Sequence, residues 1–175
     1  KTLNTLNENL IIRNVSGNNK SIKMANKIYQ VELLGNYLRN GEYKNLFNLV
    51  GIINQSDPKQ AYLKNSEIIF LQRYMDNKKL EDIYCVLISQ ILQKKVSESR
   101  DTIDLILELD KDNGNAYLAK AIISIYLFNS KEARLSINNA KTYKKSLESE
   151  QILRTMEGLT NLLEFKFINA YGNFS

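Results

Sequence analysis

The sequence predicts an all-α chain of about 8–10 helices, joined as hairpins and stacked into a solenoid. Three observations lead there. Apolar residues recur at three- and four-residue spacing between short polar breaks, and no stretch alternates β-branched residues as a strand would. One proline and seven glycines in 175 residues leave few points at which a helix must stop. Between Tyr117 and Ala140 two amphipathic patterns meet at Asn129-Ser130, with small residues at Ala121, Ala133 and Ala140 where two helices would approach closely. A hairpin of this kind cannot bury its apolar face alone and needs stacked neighbours.

The elements follow in order. Leu3, Leu6, Leu10, Ile11 and Val15 suit a short amphipathic helix, broken at Ser16-Gly17-Asn18-Asn19, so residues 1–20 read as a linker, a cap or the end of an upstream element ahead of a repeat domain over 21–175. Ser21–Asn40 carries Ile28, Val31, Leu33, Leu34, Tyr37 and Leu38, then turns at Gly41-Glu42. Tyr43–Asn54 places Leu46, Phe47, Val50 and Ile53 on one face, and Ser56-Asp57-Pro58 stops it. A helix over about 59–76 and another over about 79–94 come next. Ser97 or Ser99 is expected to cap a fifth that ends near Asp110. Asp112-Asn113-Gly114 turns into the hairpin at 117–140. A last helix spans Gln151 to about Glu164, and Lys166–Phe174 reads as the start of its partner.

Composition narrows the chemistry. The net charge is +5, with lysines spread along the chain in short pairs at Lys78-Lys79, Lys94-Lys95 and Lys144-Lys145, the pattern of solvated helix ends. The single cysteine, Cys85, lies among Ile83, Tyr84, Val86 and Leu87 and reads as a buried thiol. With no histidine the commonest general base and metal ligand is missing. Asp110-Lys111-Asp112-Asn113-Gly114 differs from a calcium loop: its glycine comes one residue early, and Ala121 stands where the bidentate Glu belongs. Asp101 and Asp104 share a helix face without a second group to make a catalytic pair, and there is no Gly-rich phosphate loop. The expectation is a non-enzyme without cofactor or metal. No apolar run reaches the roughly 18 residues of a membrane span. Lys1 in first position and a stop just after Phe174 read as a fragment or processed form, with any leader upstream. The abundance of Lys, Asn and Ile hints at an AT-rich bacterial or parasite genome, with a preference for a bacterial envelope or periplasm.

These residues resemble the tetratricopeptide repeat, a 34-residue helix–turn–helix unit. In residues 27–60, Leu33, Leu34 and Tyr37 match the first helix, Gly41-Glu42-Tyr43 resembles the family's turn, and Pro58 falls at its proline; Leu46 departs from the small residue expected there. Residues 114–147 place Tyr117 early and Ala121, Ala133 and Ala140 at the three small positions, with departures at Lys120 and Ser124. Residues 80–113 keep the frame with Ile83, Leu87 and Ile106, and 151–175 fits with Gly158, Ala170 and Phe174. Helix 59–76 stands outside the count: it pairs with 79–94 or is an insertion before it.

The resemblance implies a right-handed α-solenoid whose concave face is lined by the first helix of each unit. The matching positions are Tyr84, Ile88 and Ile91, then Leu118, Ile122, Ile125 and Tyr126, then Met156, Leu159 and Leu162. They are apolar where carboxylate-gripping members carry Lys, Asn and Arg. The groove would therefore take an amphipathic helix or extended apolar segment of a partner protein, unless residues 1–16 or further chain cover it. The expected function is a protein-binding scaffold, an envelope assembly or partner-stabilising factor. The alternatives are a basic surface for nucleic acid or anionic membrane, and a self-association module giving a homodimer.

Overall fold

A computed structural model of the chain describes residues 20–56, 62–143 and 147–172, with side chains over 25–54, 62–143 and 150–165. The described residues form eight helices and no strand: α1 (Lys20–Asn40), α2 (Tyr43–Ser56), α3 (Tyr62–Asn77), α4 (Leu80–Leu92), α5 (Val96–Leu109), α6 (Gly114–Tyr126), α7 (Ser130–Thr142) and α8 (Leu147–Gly172). The chain is all-α. The expected helix at Leu3–Val15 and the stop at Pro58 lie outside the described residues.

Local chemistry explains most boundaries. Asn113 Oδ1 accepts the Ala116 N–H at 3.0 Å and opens α6; Asn129 Oδ1 accepts the Glu132 N–H at 3.1 Å and opens α7. The expected serine cap of α5 is absent. Lys95 holds the N-cap position without a side-chain bond, and Ser99 sits inside the first turn, its hydroxyl donating to the Lys95 carbonyl at 2.7 Å. α8 runs unbroken through Lys166–Gly172, where the sequence suggests a new helix, because no glycine or proline interrupts that stretch before Gly172.

Helix ends repeat one device. At Gly41 the backbone is left-handed (φ 72°), and the N–H groups of Gly41 and Glu42 return to the carbonyls of Leu38 and Tyr37. The same paired bonds close α4 at Lys94-Lys95 and α6 at Phe128-Asn129. There the left-handed residues are Lys94 (φ 60°) and Phe128 (φ 58°), and Lys78 (φ 53°) stands likewise after α3. A side chain in this region costs about 1 kcal/mol or more relative to glycine.

The core is organised around α4. Every residue from Asp82 to Gln90 is buried, because α1, α3 and α5 all pack on this helix. The two-residue link Lys78-Lys79 folds α3 directly onto α4, so helix 59–76 belongs beside 79–94. α6 and α7 form the tightest hairpin, and Ala121, Ala133 and Ala140 are buried in it, as their size predicts. α8 lies against α7 and α6, and Arg134 of α7 clamps Glu164 and Asn161 of α8 at 2.5 Å and 2.8 Å. Two contacts join distant parts of the chain: α1 meets α6, and α2 meets α8.

Buried polar groups tie these helices at defined points. The Tyr84 hydroxyl donates to Asn113 Oδ1 at 2.8 Å, and Asn113 Nδ2 donates to Asp110 at 2.9 Å. The Tyr43 hydroxyl donates to Asn115 Oδ1 at 2.9 Å, while Asn115 Nδ2 donates to the Arg39 carbonyl at 2.8 Å. Asp82 is held by Arg73 Nε at 3.0 Å, yet its Oδ2 is buried without a partner, and burial pushes its carboxyl above the ordinary range.

α1 and α4 cross at Gly35. A Cβ there would lie 2.5 Å from Cys85 Sγ and 2.9 Å from the Cys85 amide nitrogen. Gly35→Ala is expected to lower unfolding free energy by about 2 kcal/mol, the scale of overpacking a close-fitted core. Gly51 and Gly158 lie in helices with nothing within 4 Å of a built Cβ. Alanine at either is expected to raise stability by about 0.5–1 kcal/mol. Urea unfolding of the three variants separates these signs.

Candidate interaction surface

The end of α6 and the two residues that follow it leave several apolar side chains in water. Ile122 is 38% exposed, Tyr126 64%, Leu127 44% and Phe128 66%. The α4–α5 connection faces that end of α6. Between them lies a cleft of ≈ 150 Å³, walled by Ile91, Val96, Ile122, Ile123 and Tyr126, with Lys94, Lys95 and Ser99 completing it. The only hydroxyl in that wall besides Tyr126, that of Ser99, is already committed to the Lys95 carbonyl. Apart from the Tyr126 hydroxyl and the Lys94 ammonium, the walls therefore offer apolar contact.

A hydrogen-bond network holds the lysine wall in place. Glu67 of α3 accepts from Gln90 (3.3 Å), Gln93 (2.9 Å) and Lys95 (2.6 Å), and Gln90 in turn accepts from Thr102 of α5 at 2.7 Å. Burial alone would raise the Glu67 carboxyl. The bonds from Lys95, Gln93 and Gln90 together outweigh it and hold the group below its ordinary range. Lys94, the left-handed neighbour, has no ion-pair partner among the described residues.

The groove residues expected from sequence divide into two groups. Tyr84, Ile88 and Leu118 are buried, and Tyr84 spends its hydroxyl inside the core. They are packing residues, a correction that follows for Tyr84 and Ile88 from the enclosure of α4 by α1, α3 and α5, and for Leu118 from the packing of α6 on α5, α7 and α8. Ile91 and Ile125 are half-buried, and Met156 is half-buried against the core. Ile122 and Tyr126 are brought together with Ile91 in the cleft, while Leu159 and Leu162 are exposed on α8. The sequence reading passes over Val96, Ile123, Leu127 and Phe128. Leu127-Phe128 is the visible signal: two large apolar residues immediately before a capping asparagine, where turns are usually polar.

Other candidate chemistry is structural. Cys85 is buried, and burial pushes its thiol well above the usual range, so it stays protonated. Tyr62 is pushed up to about 12 by burial, and its hydroxyl has no hydrogen-bond partner among the described residues. The polar hollow at Arg39, Asp110, Asn113 and Asn115 is lined by side chains bonded to one another or to neighbouring helices. Among the described residues no three His, Cys, Asp or Glu side chains converge as metal ligands, and no helix is long and apolar enough to cross a membrane.

Comparison with protein-family models, with curated proteins and with solved structures gives no match. The reading of this surface therefore rests on its residues.

Because the Glu67 carboxyl lies below its ordinary range, the stability it contributes is present above the ordinary carboxylate range and is lost as pH falls through its folded value. Glu67→Gln is expected to cost about 1–2 kcal/mol at neutral pH. The gap from the parent protein should close below about pH 4. Chemical unfolding across pH reads both.

Proposed function

We propose that this chain is a non-catalytic helical-repeat scaffold of the tetratricopeptide type, binding a partner protein at the exposed end of α6. The observation that carries the binding role is Phe128. It is two-thirds exposed and occupies a left-handed position where glycine would be more stable. The left-handed position is shared with Lys78 and Lys94, but only here does it carry a large aromatic kept in water, which stability alone disfavours. Ile122, Tyr126 and Leu127, close to it in the chain, are exposed as well.

The repeat reading draws support from helix starts. Val96 and Ser130 begin α5 and α7, and Leu80 and Gly114 begin α4 and α6, each pair 34 residues apart, while α8 begins 33 residues after α6. Short connections between extensively packed neighbours suit stacked helix hairpins. α1 and α2 stand outside that period. Charge favours a protein partner over nucleic acid, since Lys95, Lys120, Lys141, Arg100 and Arg134 are all engaged by carboxylates.

Phe128→Gly separates binding from folding. The variant is expected to gain about 1 kcal/mol in unfolding free energy by relieving the left-handed position. It should also lose most of whichever native proteins co-purify with the parent chain. Undiminished co-purification by Phe128→Gly and by Tyr126→Ser would remove the proposal.

A further inference from the structure

The cleft's size, the patch around it and the charge at its rim define a partner more narrowly, and this step rests on the binding role proposed above. A dry apolar cavity of about 150 Å³ is enough to bind benzene. The cleft has that volume, so it admits one phenyl- or isobutyl-sized side chain and little else. The exposed surface beyond it is also limited. Two aromatics of about 150–250 Å² each, exposed by about two thirds, with Leu127 and Ile122 part-exposed, offer roughly 400 Å². That area matches the apolar face of one helix laid across it, with a single side chain seated in the cleft.

The rim gives the sign of the charge. Lys94 and Lys95 line the cleft; the Lys95 ammonium is bonded to Glu67, and Lys94 has no ion-pair partner among the described residues. Glu98, within the first turn of α5, is the nearest acid in sequence and does not line the cleft; Glu132 at the start of α7 is taken by Arg100 at 2.7 Å. We infer that the cleft receives a single Phe or Leu anchor from an acidic amphipathic helix of a partner protein, with a Glu or Asp of that helix meeting Lys94. Tyr126, Leu127 and Phe128 would cover the turns that follow the anchor, at the i+3 and i+4 spacing such helices present.

The test uses two fluorescent helical peptides of about fourteen residues with the same Leu/Phe face, one with Glu and one with Lys on its polar face. Anisotropy titration of the full chain is expected to show the acidic peptide binding at least tenfold more tightly. Lys94→Glu should abolish or reverse that preference, and Ile122→Glu, a change at a part-exposed position, should remove binding of both. Circular dichroism of each variant checks that the fold is intact. Equal affinity for the two peptides, or a preference unmoved by Lys94→Glu, overturns the acidic partner while leaving an apolar binding surface in place. Failure of both peptides to bind, with co-purified proteins still lost from Phe128→Gly, overturns the helix inference alone. Concentration-dependent self-association abolished by Phe128→Gly overturns it in favour of a second copy.

Discussion

Where α1 crosses α4, the Gly35 backbone comes so near Cys85 that no side chain fits between them. That contact sets the spacing of the two helices, and the rest of the packing inherits it. With α1 on one side, α3 and α5 occupy others, and α4 loses its solvent face from Asp82 to Gln90. A helix enclosed in this way must be apolar or internally satisfied all round. α4 is both: Ser89 returns its hydroxyl to the Cys85 carbonyl, and Gln90 bonds to Glu67 and Thr102. Asp82 Oδ2 is the exception and sits beside an arginine that neutralises its neighbouring oxygen.

The candidate surface depends on that enclosure at one remove. Glu67 reaches from α3 across the end of α4 to Lys95, which fixes the α4–α5 connection and hence one wall of the cleft. The other wall is α6, anchored at its start by Asn113 and Asn115, which bond to Tyr84 and Tyr43. Core and surface are thus coupled through buried hydrogen bonds whose loss is costly in a low-dielectric interior. The apolar residues at the end of α6 are left out of that network and remain in water.

Much of the fold could be read from the residues because helix periodicity and capping are local. Asn113 and Asn129 announce their helices, and Ala121, Ala133 and Ala140 announce a close hairpin. The groove was only half legible. Whether Tyr84 and Ile88 face water or core depends on where α1 and α3 sit, and those contacts span tens of residues that no periodicity encodes. Phe128 escaped notice for a different reason: a left-handed turn is usually signalled by glycine or asparagine, and this chain places Lys78, Lys94 and Phe128 there instead.

The contact between α2 and α8 carries a kinetic consequence. α2 packs on α1 and α8, and its first residue, Tyr43, also reaches Asn115 at the start of α6. In a purely nearest-neighbour stack each unit is complete once the next has emerged from the ribosome. Here the second helix waits for the eighth. Its contact with α8 is missing until almost the whole described chain has been made, which lengthens the loop that must close and leaves the early helix exposed to wrong partners during synthesis.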